Sequence, residues 1–231
     1  MTDRPQNPNL ARFLEAVQKL GPLLDRVVFV GGGVTGLLIT DPAAPPVRPT
    51  LDIDAMVEIG SYAELTVLGN RLKELGFCES REMICRWTNA DLILDLIPTD
   101  ASILGFTNRW YRPAMEQAQR IRVGEHDARL ITAPYFLATK LEAFRGRGNE
   151  DYRTSHDLED IVTVIDGRSE IVEEVRGASQ ELRSYLSAEF RALSSNRSFL
   201  DSLSGYLPPD AVSQARYGLV LDRMRAMVFE D

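Results

Sequence analysis

Val27-Val28-Phe29-Val30-Gly31-Gly32-Gly33 is a short β-branched and aromatic run that stops in three glycines. About twenty residues later, Leu51-Asp52-Ile53-Asp54-Ala55-Met56-Val57 resumes the same character with two acids set between apolar residues. The first stretch reads as a buried strand entering a glycine turn, the second as a further strand. A brief helix over Val34–Thr40 has to end by Pro42, and Pro42, Pro45, Pro46 and Pro49 make the connection an extended loop, because proline cannot continue a helix and restricts the residue before it.

Outward from this centre, Leu10, Phe13, Leu14, Val17 and Leu20 recur at helical spacing until Gly21-Pro22. Ser61 and Glu64 form a capping box, Leu65, Leu68, Leu72 and Leu75 form a stripe, and Gly76 closes a helix over 61–76. Met83–Thr88 and Leu92–Ile97 read as an antiparallel hairpin across Asn89-Ala90-Asp91. Ile121–Val123 and Ala128–Ile131 read as a second hairpin across residues 124–127. From Thr132 the strand signal ends. Residues 135–144, 157–165, 170–193 and 210–228 are helical in pattern, with Arg145–Arg153, which contains Gly146, Gly148 and Asn149, as a mobile loop. The expectation is an α+β protein: residues 1–131 carry a sheet with flanking helices, and residues 132–231 form an all-helical half.

Composition narrows the function classes. The 231 residues are 44% hydrophobic and 26% charged, enough for a real core. A formal net charge of -8 excludes a protein that coats nucleic acid non-specifically, since such binding neutralises phosphates with lysine and arginine. It leaves room for a local basic groove. No stretch approaches the roughly 20 apolar residues of a membrane span, and Met1–Asn9 is polar where a signal peptide would be apolar. A cytoplasmic protein with no membrane partner is expected. Cys78 and Cys85 are too few for a disulfide framework or a structural zinc site.

The chemistry lies in the acids. Period-two alternation points Asp52 and Asp54 to one face of their strand, where like charges repel unless a cation neutralises them. Mg²⁺ suits such a place, because it takes a few carboxylate oxygens together with substrate phosphates. Leu94-Asp95-Leu96 adds a third acid inside an apolar strand, where a lone charge is costly. A sheet that aims Asp95 at Asp52 and Asp54 makes one metal site of the three, whereas a bare D-x-D by itself is more often a solvated strand cap. The glycine turn, through Gly31, Gly32 and Gly33, can present backbone N–H groups to phosphate oxygens, with Thr35 adding a hydroxyl. Gly31, Gly33 and Gly36 also match the G-x-G-x-x-G dinucleotide fingerprint. Against that rival stand the early Pro42, the placement of both acids near the start of their strand, and the lack of further βαβ units.

Taken together, the strand into Val30-Gly31-Gly32-Gly33, the flanked Asp52-Ile53-Asp54 and Leu94-Asp95-Leu96 resemble the polymerase-β-type nucleotidyltransferase superfamily, whose small mixed sheet holds three acids. Lys140-Leu141-Glu142-Ala143-Phe144, then Arg145 and Arg147, then His156-Asp157-Leu158-Glu159-Asp160-Ile161, is similar to the AbiEii-like toxin nucleotidyltransferases. The resemblance covers most of residues 25–165. It implies that Asp52 and Asp54 bind Mg²⁺, that Asp95 is the third acid, that Lys140 contacts the triphosphate of an NTP, and that Asp157 is the family's later aspartate. It further implies a toxin with a cognate antitoxin, and transfer RNA 3′ ends as acceptor. The chain departs from the family in having Gly32-Gly33 where Gly-Ser is usual, and in its stretched spacer before Asp52.

Without the resemblance, Lys140 reads as a solvated or snorkelling lysine, Asp157 as a helix cap and His156 as a structural hydrogen-bonder. Arg145, Arg147 and Arg153 form the densest basic stretch, which suits phosphate or RNA contact. The function expected is Mg²⁺-dependent transfer of a nucleoside monophosphate from an NTP to a hydroxyl. The alternative is a catalytically silent nucleotide-binding module of the same fold, and third a dinucleotide-binding oxidoreductase.

Overall fold

The computed structural model describes residues 7–229 except Phe106 and Asn149. The start of the polar leader, residues 1–6, and Asn149 of the expected loop lie outside the described residues. The fold is α+β, and the chain divides into two compact units: one runs to Gly36 and resumes over Arg48–Thr132, the other comprises Leu37–Val47 and everything from Ala133 onward.

The first unit is built on a seven-stranded mixed sheet. Its strands are β1 (Val27–Val30), β2 (Asp52–Val57), β3 (Cys78–Glu79), β4 (Arg86–Asn89), β5 (Leu92–Pro98), β6 (Gln119–Val123) and β7 (His126–Leu130). They lie in the order β3-β4-β5-β2-β1-β7-β6. All four residues of β1 are buried, as expected for an apolar run at the heart of a sheet. α1 (Leu10–Leu20) brings Phe13 edge-on to Phe29, with ring centroids 5.0 Å apart. α3 (Tyr62–Glu74) begins where the Ser61 hydroxyl accepts from the Glu64 N–H at 3.2 Å, while Glu64 accepts from the Gly60 N–H at 2.8 Å. It ends in a Schellman turn: Phe77 N–H reaches the Leu72 carbonyl and Gly76, at φ 84°, reaches Lys73. α4 (Ala101–Leu104) and α5 (Tyr111–Glu116) fill the connection to β6.

Both hairpins form with shorter loops than the sequence suggests. Asn89 pairs with Leu92, leaving Ala90 and Asp91 as a two-residue turn with Ala90 at φ 51°; Val123 pairs with His126, leaving Gly124 and Glu125. β4 starts at Arg86 rather than Met83 because Cys85 turns into the left-handed region at φ 73°.

The dinucleotide reading fails on topology. β1 and β2 are antiparallel, so they are not the parallel pair of a βαβ unit. Between them α2 (Thr35–Leu38) is a single turn. The three glycines of the motif answer to packing instead. A Cβ on Gly31 would fall 2.0 Å from Asp54 Oδ2, one on Gly33 2.8 Å from Ile53 Cδ1, and one on Gly36 2.6 Å from the Asn7 side chain.

The second unit is helical: α6 (Ala133–Arg147), α7 (His156–Gly167), α8 (Ile171–Arg176), α9 (Gln180–Ser195), α10 (Arg197–Leu203), α11 (Ala211–Gln214) and α12 (Tyr217–Ala226). α6 is buried without a break from Ala133 to Leu141, the mark of a helix enclosed by others. The helix expected over 170–193 is two, because Gly177 ends α8 and Ser179 caps α9 by accepting from Leu182 N–H. The span 210–228 is likewise α11 and α12. Leu37–Val47 is held by α7: the Thr40 and Asp41 N–H groups both donate to the Gly167 carbonyl at 2.9 Å, and Arg216 bridges Asp41 and Asp166 at 2.6 Å each. No helix among the described residues is long and apolar enough to cross a membrane.

Candidate active site

The register of β2 and β5 brings the acids together. These strands are parallel with Asp54 opposite Asp95, and Asp52 lies two residues along β2 on the same face. Phe29, Ala55 and Leu96 are register partners on the opposite face, so the acids project away from the α1 side. On the neighbouring strand, Val30 pairs with Asp54, which carries the glycine turn to the same end of the sheet. Gly31 is required there twice over. Its φ of 77° belongs to the left-handed region that glycine tolerates, and only a missing Cβ lets the Asp54 carboxylate lie against the backbone.

A residue absent from the sequence reading completes this group. β4 pairs with β5 so that Arg86 is opposite Asp95, and its guanidinium bridges two of the acids. Nε and Nη2 donate to Asp95 Oδ1 and Oδ2 at 2.8 and 2.7 Å, a two-pronged grip, and Nη2 also donates to Asp52 Oδ2 at 2.8 Å. The Asp95 hydrogen bond is the main reason the Arg86 guanidinium is held even more firmly protonated than usual, although burial opposes it. Burial pushes the neighbouring Cys85 thiol up to about 11, with the charges of Asp95 and Asp54 adding to it, so this cysteine is no nucleophile near neutral pH.

The donors suit a hard divalent cation, since all are carboxylate oxygens, and Arg86 shows that the cluster gathers positive charge. As they stand, however, no three His, Cys, Asp or Glu side chains among the described residues are arranged to hold a metal ion. Arg86 takes oxygens of Asp52 and Asp95 that such an ion would use.

The remaining members of the turn are enclosed. Gly32 and Gly33 are buried, and Thr35 is 1% exposed with its hydroxyl lacking a hydrogen-bond partner, whereas Gly31 is partly accessible.

In the helical unit, Lys140 is not a solvated lysine. It is 9% exposed, and Nζ contacts Asp157 Oδ1 at 3.1 Å and Asp160 Oδ2 at 2.7 Å. Arg147 grips Asp157 through Nε at 3.1 Å and Nη2 at 3.0 Å. Burial alone would push the Asp157 carboxyl up, but the Arg147 hydrogen bond and the Lys140 charge outweigh it and hold the group below its ordinary range. Asp160, one helical turn beyond Asp157, is the second member that sequence reading passed over. Ser155, not Asp157, caps α7, by accepting from Leu158 N–H. His156 meets Glu159 at 3.0 Å. Arg145 and Arg147 belong to the last turn of α6 rather than to a loop, and Arg145 pairs with Glu189 at 2.7 Å. Arg153 contributes its backbone N–H to Asp151.

No protein-family model and no curated protein matches the sequence. Among solved structures, the fold is similar to the crystal structure of an antigenic nucleotidyltransferase-like protein from Paracoccidioides brasiliensis, at 18% identity and a TM-score of 0.53, over 85% of this chain and 91% of that one. At that identity the likeness is one of fold.

Proposed function

We propose that this protein is a nucleotidyltransferase that moves a nucleoside monophosphate from an NTP to an acceptor hydroxyl and releases pyrophosphate. The observation that carries it is the registration of Asp54 opposite Asp95, with Asp52 on the same face and the Gly31 backbone against Asp54. Asp52, Asp54 and Asp95 are the residues that would hold Mg²⁺, which when bound supplies charge neutralisation for the attacking and leaving oxygens. The chain's own part is to concentrate three carboxylates at one end of the sheet and to bring a glycine turn, Gly31 to Gly33, beside them for the phosphates. The fold shared with a nucleotidyltransferase-like protein supports the same reading.

The finer assignments rest on the AbiEii-like resemblance. They are the action of Lys140 on the triphosphate with Asp157 as the later acid, an RNA acceptor such as a transfer RNA 3′ end, and a toxin's role opposite an antitoxin; nucleotide contact by Thr35 follows instead from the glycine turn, and by Arg145 and Arg147 from the basic stretch behind Lys140. The pairing of Lys140 with Asp157 supports treating the two as one unit. Incubation with α-labelled NTPs, Mg²⁺ and total RNA tests the acceptor. Label is expected in RNA and removable by 3′ trimming; label in protein or a small molecule instead would remove the RNA acceptor and keep the transfer chemistry.

A second reading, a nucleotide-binding module without turnover, is favoured by one observation, the Arg86 guanidinium across Asp52 and Asp95. NTP binding with no label transferred to any acceptor supports it.

A further inference from the structure

The guanidinium of Arg86 and a divalent cation call on the same oxygens. Three N–H···O bonds of 2.7 to 2.8 Å tie Arg86 to Asp95 and Asp52. Both partners are carboxylates, so these are charge-assisted bonds and among the stronger ones a side chain makes. A cation that draws on these carboxylates therefore competes with Arg86 for their charge and for the oxygens it holds.

The position of Arg86 is suited to such an exchange. It is the first residue of β4, and its side chain is 24% exposed, so it is not sealed in the core. The preceding Cys85 holds φ at 73°, an uncommon conformation for a residue with a side chain and one that recurs at functional sites. The ladder nonetheless continues through that residue, because its carbonyl accepts from Leu96 N–H at 2.9 Å. The backbone at the head of β4 is thus fixed on the acid strand, and only the long arginine side chain needs to rotate. By the same fixed backbone, Arg86 is anchored opposite Asp95 whenever the site lacks a cation.

We propose that Arg86 is a built-in counter-cation of the acid cluster: it holds Asp52 and Asp95 in the cation-free protein, is displaced when a divalent cation binds, and by this competition sets the cluster's cation affinity. The inference rests on the reading of Asp52, Asp54 and Asp95 as a cation site. It is a positioning role: Arg86 acts on its neighbours' carboxylates, and its influence appears in binding before any turnover.

The test is direct Mn²⁺ binding, followed by the loss of the free-ion electron paramagnetic resonance signal, with melting of each protein recorded with and without Mn²⁺. Arg86→Gln keeps the stem but removes the charge. It is expected to bind Mn²⁺ on the order of tenfold or more tightly than the parent chain, because the charge-assisted bonds to be broken are gone. It is also expected to melt lower without the ion and to recover a larger share of its melting temperature with it, since a ligand that binds only the folded state stabilises it by an amount that grows with the logarithm of its concentration over Kd. Arg86→Lys, a positive charge without the two-pronged grip, is expected between the two and serves if the glutamine variant does not fold. Asp54→Asn assigns the bound ion to this cluster by weakening it. Equal Mn²⁺ affinity in the parent and the Arg86 variants, or weaker binding in them, overturns the counter-cation role and leaves the cation site standing. Failure of every variant, the parent included, to bind Mn²⁺ overturns both.

Discussion

Gly31 and Asp54 constrain one another, and that contact can be tested without knowing the reaction. Gly31→Ala would place a methyl 2.0 Å from Asp54 Oδ2 on a backbone at φ 77°. A loss of about 2 to 4 kcal/mol in chemical denaturation is expected from steric overlap added to backbone strain; a change under about 0.5 kcal/mol would mean that Asp54 does not pack there. The Lys140 group behaves differently, as a buried ion pair. Lys140→Met leaves Asp157 and Asp160 enclosed without their ammonium, and a cost of about 3 to 5 kcal/mol is expected, against almost none for a solvated lysine. The folded-state Asp157 carboxyl is held below its ordinary range, so its contribution is complete above about pH 4 and is lost as pH falls through the lower folded value. Asp157→Asn should therefore flatten the acid limb of a stability-against-pH curve below that point; an unchanged limb would assign acid unfolding to other carboxylates. At this scale the sequence reveals the residues whose type is unusual for its place, such as Asp95 between two leucines. It conceals those whose meaning depends on register. Arg86 faces Asp95 only because the hairpin turn is two residues long; the three-residue turn read from Asn89-Ala90-Asp91 sets it opposite Leu94, and a slip of one residue sends a side chain to the other face.

Elements follow the local signals where those signals are chemical rather than statistical. α3 obeys both of its marks, the Ser61 cap and the Gly76 stop. The apolar stripe over 170–193 hides a break, because the residues on either side of Gly177-Ala178-Ser179 keep their helical spacing while the helix stops and restarts. The break was readable from Gly177 followed by a capping serine. Ser179→Ala should cost about 1 kcal/mol and loosen the first turn of α9 in hydrogen exchange; equal protection in both proteins would show that packing of Leu182 and Leu186 alone fixes that end. The same limit applies to α6. Its polar Lys140 interrupts no amphipathic pattern, since the helix is buried without a break from Ala133 to Leu141, and without the family resemblance that lysine passed for a surface residue.

For the molecule, the α+β class with a helical remainder was legible from the change of period at Thr132, the mixed sheet only from the family resemblance, and nothing in Leu37–Val47 announces that it packs with the helical unit. A chain of net charge -8 must gather its positive charge locally if it is to hold RNA. Two of the three arginines proposed for that task are already engaged, Arg145 with Glu189 and Arg147 with Asp157. Neutralising Arg145, Arg147 and Arg153 together should reduce the salt dependence of RNA binding if they meet phosphates; an unchanged slope in filter binding would place the RNA elsewhere. The central claim, that the three acids of this sheet perform nucleotidyl transfer, is tested most directly by pyrophosphate release from NTP and Mg²⁺ with total RNA as acceptor, comparing the parent chain with Asp54→Asn. Release by the parent, reduced on the order of 10²-fold or more in a variant with an unchanged melting temperature, is the expected result. Equal release from both proteins would contradict it.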